Sequence, residues 1–235
     1  MDRKRERRHE PAISVIVPVF NGERYLAEAL ESIVGQTRPP EEIIVVDDGS
    51  TDRTAEVARR FPVRLLRQAN AGAAAARNAG AEAANADLLA FLDHDDLWVA
   101  DKLERQMAAL AADPALDMVF GHVEQFFCPS LTAEQRAHYQ LTPPMPAYTS
   151  PARLIRRASF AKVGPYAIGN RLGEVLEWHA RAVDAGLRLA MLPGIVYRRR
   201  IHASNMGITR SQDRSDYAHV LKQILDRRRR DGACR

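Results

Sequence analysis

The sequence predicts an α/β fold built on a doubly wound, mostly parallel sheet, and three observations carry that prediction. Compact β-branched or apolar runs recur along the first half of the chain, at Ala12 to Phe20, Ile43 to Val46, Val63 to Leu66 and Leu88 to Leu92. Each is followed within a few residues by a segment of helical periodicity, the pattern of strands joined by crossover helices. Three of the runs end in polar or acidic residues: Asn21-Gly22, Asp47-Asp48-Gly49-Ser50, and Asp93-His94-Asp95-Asp96. In such sheets ligands bind beyond the carboxyl ends of the strands, so these ends should meet in one crevice.

The first strand ends near Pro18, and Asn21-Gly22 turns the chain. Over residues 23–34, Tyr25, Leu26, Ala29, Leu30 and Ile33 fall on one helical face, with Glu23, Arg24, Glu28 and Glu31 on the other. Gly35 and Pro39-Pro40 close that helix. After the second strand, Ser50 or Thr51 is expected to cap a helix running to about Arg60, with Asp52 near its positive end. A short third strand leads through Asn70-Ala71-Gly72 into an alanine-rich helix over 73–84. The fourth strand precedes a helix over 99–112 with Leu103, Met107 and Leu110 aligned. Beyond Met118 to Gly121 the alternation fails, and residues 122–150, with Pro129, Pro143, Pro144 and Pro146, read as irregular. A strand and short helix are expected over 153–163, a helix over 174–185, strands at Leu187 to Leu192 and Ile195 to Ile201, and a last helix from Tyr217 to Arg230. No internal repeat is evident.

With 235 residues, 46% apolar and 27% charged, the chain suits one large soluble domain. The expected division is a basic tail over 1–11, a domain over 12–210 with halves at 12–121 and 122–210, and a terminal helix and basic tail over 211–235. No run approaches the roughly 18 apolar residues of a spanning helix. The basic start lacks an apolar stretch before Pro11, so a secretory signal is not expected and the cytoplasm is the expected compartment. Cys128 and Cys234 show no disulfide or zinc spacing. The net charge of +4 is concentrated partly in Arg3 to Arg8 and Arg227 to Arg230. Such clusters read first as solvated tails, and they permit peripheral contact with the inner membrane face; nucleic acid is not an expected partner.

Asp93, Asp95 and Asp96 repel one another and cannot lie along a buried strand, so they belong where it leaves the sheet. They suit either a divalent cation, which takes hard carboxylate oxygens, or a solvated turn ahead of the next helix. His94, between them, is expected to point elsewhere.

Taken in order, the motifs resemble those of the family-two glycosyltransferases with a GT-A fold. They are Ser14-Val15-Ile16-Val17-Pro18-Val19-Phe20-Asn21, Ile43 to Asp52, Asn70-Ala71-Gly72, Ala76-Arg77-Asn78-Ala79-Gly80 and Leu92 to Asp96. Leu154 to Arg157, Val163-Gly164-Pro165, Gly173-Glu174 and Arg181-Ala182 keep the same order, so the resemblance spans roughly residues 12–206. It implies a doubly wound, Rossmann-like sheet with a smaller mixed acceptor-side sheet. It also implies a nucleotide-diphosphate sugar donor, UDP-linked, and a glycan, lipid-linked or small-molecule acceptor. By carry-over Pro18, Phe20 and Asn21 border the nucleoside, and Asp48 accepts from the base, as an acceptor-only carboxylate suits an imide N–H. Arg77 either reaches the diphosphate or solvates the helix flank. Asp93, Asp95 and Asp96 match the DxD element, with Asp93 supporting and Asp95 and Asp96 dividing ribose contact and coordination of Mn²⁺ or Mg²⁺. His202, in Arg198-Arg199-Arg200-Ile201-His202, resembles a late histidine that returns to the metal.

The family's usual base is an aspartate after a glutamate at a helix start, and here Val175 holds that position. Glu174 and Glu177, three apart and expected on one helix face, are the remaining carboxylates for the role. A member that binds nucleotide-sugar but lacks the base is the first rival reading. A dehydrogenase or other nucleotide-binding enzyme is disfavoured by the missing GxGxxG turn.

Overall fold

The computed structural model describes residues 10–169, 173–205 and 214–232. The basic tail at 1–9 and Cys234 lie outside them. Among the described residues one nine-stranded sheet organises the chain, in the order β3 (Arg64–Arg67), β2 (Glu42–Asp47), β1 (Ile13–Val19), β4 (Leu88–Phe91), β8 (Leu154–Arg156), β6 (Met118–Phe127), β9 (Leu189–Ile201), β5 (Leu97–Trp98), with β7 (Met145–Ala147) paired to β6. The first strands are β1 (Ile13–Val19), β2 (Glu42–Asp47), β3 (Arg64–Arg67) and β4 (Leu88–Phe91), all parallel. The helices among them are α1 (Leu26–Val34), α2 (Thr54–Ala58) and α3 (Ala73–Ala83). β1 and β4 are fully buried along their lengths, which explains runs of Ile, Val and Leu without alternation.

Pro18 lies inside β1, buried and opposite Val46. Val19 C=O accepts from Asp48 N–H toward β2, so Pro18 faces the β4 side, where pairing has already ended at Ile16–Phe91. Its missing N–H therefore leaves no gap in a ladder. The alanine-rich character of α3 also has a cause. A Cβ on Gly80 would come within 2.4 Å of Ile16 Cγ2, so only small residues let the helix lie this close to β1 and β2.

The second half continues the same sheet. Its elements are β5 (Leu97–Trp98), α4 (Lys102–Ala112), β6 (Met118–Phe127), α5 (Ala133–Ala137), β7 (Met145–Ala147), β8 (Leu154–Arg156), α6 (Arg157–Val163), α7 (Glu174–Asp184), β9 (Leu189–Ile201) and α8 (Arg214–Gly232). β8 runs antiparallel to both β4 and β6, and β9 runs parallel to β6. β4, β6 and β9 therefore all end on the same edge. The mixed acceptor-side portion is thus the far half of one sheet.

Three expectations need correction. Residues 122–150 are not irregular throughout: β6 continues to Phe127, β7 pairs with it, and Thr132 caps α5 by a reciprocal capping box with Gln135. The two strands expected at 187–201 are one, interrupted in register near Pro193-Gly194, where Gly194 has φ 98°. Neither Ser50 nor Thr51 caps α2; Asp52 accepts from Thr54 N–H at 3.0 Å, while Ser50 and Thr51 bind Asn21.

Candidate functional site

The ends of β1 and β2 are laced together. Asn21, at φ 50°, donates its N–H to Ser50 Oγ at 2.9 Å and accepts from Thr51 N–H through Oδ1 at 2.9 Å. Gly22 N–H donates to Thr54 Oγ1 at 2.8 Å. Phe20, just ahead of this turn, is 46% exposed, an open aromatic face beside the crevice. Asp47 is buried; it accepts from Ser50 N–H and from Arg67 Nε at 3.0 Å. Asp48 accepts from Gln68 Nε2 at 2.7 Å, Ala71 N–H at 2.9 Å and Gly72 N–H at 2.8 Å. A carboxylate has about four acceptor positions, and the buried Asp48 uses three of them to fix the Asn70-Ala71-Gly72 turn.

At the end of β4, the three aspartates have different surroundings. Asp93 Oδ1 accepts from Arg77 Nη2 at 2.7 Å, and Arg77 Nη1 donates to Glu174 Oε1 at 2.9 Å. Arg77 is 5% exposed, and its Nε is buried without a hydrogen-bond partner. Burial works against its charge, yet Asp93 and then Glu174 outweigh that and hold its pKa above the usual arginine range. The predicted Arg77, Asp93 and Glu174 are therefore one ion-paired group, joining α3, the β4 end and the start of α7.

Asp95 Oδ2 stands 2.9 Å from His202 Nε2, and His202 Nδ1 is 2.8 Å from Ser204 Oγ. Burial pushes the Asp95 pKa up, but the His202 hydrogen bond, with His94 and His202 nearby, holds it below the ordinary aspartate value. Asp96 is buried and accepts from Arg200 N–H at 2.9 Å. Burial, then Asp95 and Asp93, push its pKa well above the ordinary value. The sheet order explains this meeting. β5 follows the acidic run directly and pairs antiparallel with Tyr197 and Arg198 of β9, which places Arg200 and His202 beside Asp95 and Asp96.

Arg200, named in the sequence only as part of an arginine run, is a buried bracket here. Its Nε donates to Asp95 C=O at 2.9 Å, and its Nη2 donates to Glu28 at 2.7 Å. Asn205 Oδ1 accepts from His202 N–H at 2.6 Å, and its Nδ2 donates to Arg200 C=O at 3.1 Å. Only the Ile-His-Ala-Ser-Asn spacing hinted at this turn. His94 packs against Gly22, where a Cβ would lie 2.7 Å from His94 Cδ2, and it remains close enough to Asp95 to favour that carboxylate's charge.

Glu177 pairs with other residues than the Arg77–Asp93–Glu174 group. It is 7% exposed and accepts from Arg181 Nε at 3.0 Å and from Arg227 Nη1 of α8 at 3.0 Å. Glu174 and Glu177, expected on one face, diverge because residues three apart on a helix differ by about 60° and here meet different neighbours. Val175 packs against the main hydrophobic core.

A family model described as Glycosyl transferase family 2 matches residues 14–172. Glycosyltransferase AglE of Haloferax volcanii is 31% identical over 201 residues, covering 79% of this chain and 66% of that protein. Bacillus subtilis TuaG, named provisionally as a teichuronic acid biosynthesis glycosyltransferase, is 40% identical over 105 residues, covering 42% of this chain and 41% of its own. The chain spans between 19% and 66% of the length of the curated relatives it matches. Among solved structures, S. aureus TarS 1-349 in complex with UDP superposes with a TM-score of 0.68 at 20% identity, covering 91% of this chain and 64% of that one. That likeness is one of fold.

Proposed function

The chain belongs to glycosyl transferase family 2 and has the GT-A-like α/β fold, and from that premise we propose that it transfers a sugar from a UDP-linked donor to an acceptor hydroxyl with inversion. The observation that carries this reading is the Arg77 bridge. It ties the acidic end of β4, where a donor diphosphate would lie, to Glu174, the one carboxylate of the α7 start that faces the same crevice. Phe20, Asn21 and Asp48 supply an aromatic face and polar acceptors for a nucleoside, as in the expectation from the motifs. Pro18 acts only from behind, through the shape of β1. UDP as donor is supported by the UDP complex of the S. aureus relative.

The residues present fit a divalent cation. Asp95 and His202 are hydrogen-bonded to each other, a carboxylate oxygen beside an imidazole nitrogen, and a cation would take the place of the proton between them. Asp95 Oδ2 and His202 Nε2 stand 2.9 Å apart. These two would hold Mn²⁺ or Mg²⁺, with Asp93 and Asp96 shaping the field around them. Asp96 is less suited to direct ligation because Arg200 N–H takes its Oδ1. Among the described residues no group of three such side chains is arranged around one point, so the donor's phosphate oxygens would complete the shell. When bound, the cation supplies positive charge to the departing diphosphate.

Glu174 accepts the proton of the acceptor hydroxyl as that oxygen bonds to the anomeric carbon and the bond to the diphosphate oxygen breaks. Arg77 engages Oε1, so Oε2 is the oxygen that serves. The test is a mass-spectrometric donor screen for hydrolysis and transfer. Glu174→Gln should lose at least a hundredfold in rate with donor binding retained, and Glu177→Gln should keep turnover in the folded protein. Unchanged turnover in Glu174→Gln would overturn the assignment.

A second reading rests on Val175 and on the ion pair that occupies Glu174. In it the chain binds nucleotide-sugar without transferring it, as a docking member of the family. Tight donor binding with no hydrolysis or transfer across the screen would select this reading over the first.

A further inference from the structure

The last helix offers a surface that the sugar-transfer reading does not use. α8 packs on α7 through Val220 and Ile224, which are buried with Ala180. Arg227 donates to Glu177 and Asp184, and Arg228 donates to Asp184 at 2.9 Å. These contacts fix which side of α8 faces outward. On that side Leu221 and Leu225, one helical turn apart, are 50% and 53% exposed. Ala218 is exposed on the same strip. Lys222 and Arg229 lie along one edge of the leucines; the Arg229 side chain is 79% exposed and stands 3.7 Å from Asp226, a loose, solvent-exposed pair that leaves the strip net positive. By sequence the Arg214–Gly232 segment carries six basic and three acidic residues.

An apolar strip edged by arginine and lysine is the pattern of a helix lying in the plane of a membrane surface. Leucines enter the acyl boundary while cations meet anionic headgroups. We propose that the outer face of α8 docks on an anionic lipid surface. A second copy of the chain is the poorer occupant. Two leucines and an alanine fall far short of the roughly 800 Å² per partner that a stable interface buries, and a twofold pairing would set like charges together. An acidic headgroup layer answers the lysine and arginine, and it needs only a shallow apolar insertion. No helix among the described residues is long and apolar enough to cross a membrane, so this contact is peripheral.

The docking also has a geometric consequence. α8 is ion-paired to both ends of α7, to Glu177 in its first turn and to Asp184 at its last residue, and the first residue of α7 is Glu174. A lipid-bound α8 would therefore hold the acceptor side of the crevice at a fixed distance from the membrane. This inference does not depend on Glu174 acting as the base.

Flotation of the full chain with phosphatidylcholine vesicles, with and without phosphatidylglycerol, tests it. Binding is expected to the anionic vesicles and to fall with added salt. Lys222→Gln/Arg229→Gln should weaken it about 25-fold, taking about fivefold per charge. Leu221→Ser/Leu225→Ser should weaken it by on the order of a hundredfold. Circular dichroism and UDP affinity, unchanged in both variants, would show that the fold is intact. The proposal is overturned if the full chain ignores anionic vesicles or if both variants bind like wild type. It is overturned equally if light scattering shows a dimer that the leucine variant abolishes while vesicles capture neither protein.

Discussion

Burying a guanidinium is tolerated only where carboxylates answer its charge, and Arg77 has two, on elements far apart in sequence. Removing it would leave Asp93 and Glu174 facing each other without a cation. Arg77→Met should therefore lower stability by about 3 kcal/mol, the low end for a broken buried pair, because the Asp93 side chain is 33% exposed and recovers some hydration. Urea unfolding would measure it. The triple change Arg77→Met/Asp93→Asn/Glu174→Gln should recover part of that loss, and a loss under about 1 kcal/mol in the single variant would refute the bridge's role. At this scale the sequence named most of the polar participants but not their pairings. Arg77 was expected at the diphosphate or on the helix flank, and its simultaneous pairing with two carboxylates stood in neither expectation. Glu177 was a plausible base on spacing alone. One of its partners, Arg181, sits four residues on and is readable from helical spacing, but the other, Arg227, lies 50 residues away on a helix whose docking no local pattern encodes.

Between elements, the same limit separates what periodicity reveals from what it conceals. The first strands and helices were legible because buried parallel strands and their crossover helices write strong, distinct patterns. β6 and β9 were harder: half of β6 is only partly buried, and β9 is broken at Pro193-Gly194, so neither shows a clean period. Two interfaces give measurable expectations. Gly80→Val would put a Cβ 2.4 Å from Ile16 Cγ2 and 3.2 Å from Val46 Cγ2, against β-strand core that cannot yield. It should cost about 2–3 kcal/mol, read as a lowered thermal midpoint. The α7–α8 contact is sensitive to acid. Burial raises the Asp184 pKa, but hydrogen bonds from Arg227 and Arg228 lower it further, so its folded value lies below the usual one. A depressed folded pKa means the stabilisation is complete above the unfolded value near about 4 and is lost as pH falls through the folded value. Helix content should therefore drop in an acid titration below about pH 4 as α8 loosens. Asp184→Asn should show a weaker α8 at neutral pH and a shallower acid step, and an identical acid profile would count against the contact.

For the molecule as a whole, the site depends on the sheet being continuous. Asp95 comes from the parallel half and His202 from the far end of β9, and they meet because β5 folds back onto β9 immediately after the acidic run. The sequence placed both residues in one coordination set through family resemblance, but the route that brings them together was not legible, since a two-residue strand such as β5 carries no periodic signal. It follows that a ligand held by both residues should stabilise the entire sheet cooperatively and not one half alone. With the UDP–Mn²⁺ complex, acting as one ligand, at about 100 times its dissociation constant, the gain is about 2.7 kcal/mol, which for a domain of this size raises the melting midpoint by several degrees in one transition. UDP alone should give a smaller shift, because the carboxylates would then meet the diphosphate without an intervening cation. Asp95→Ala and His202→Ala should each erase the Mn²⁺-dependent part while leaving the metal-free shift from the nucleoside contacts at Phe20, Asn21 and Asp48. Differential scanning fluorimetry separates the cases. A Mn²⁺ increment that survives Asp95→Ala would place the metal elsewhere in the crevice, and two resolved transitions would mean that the halves of the sheet do not respond as one.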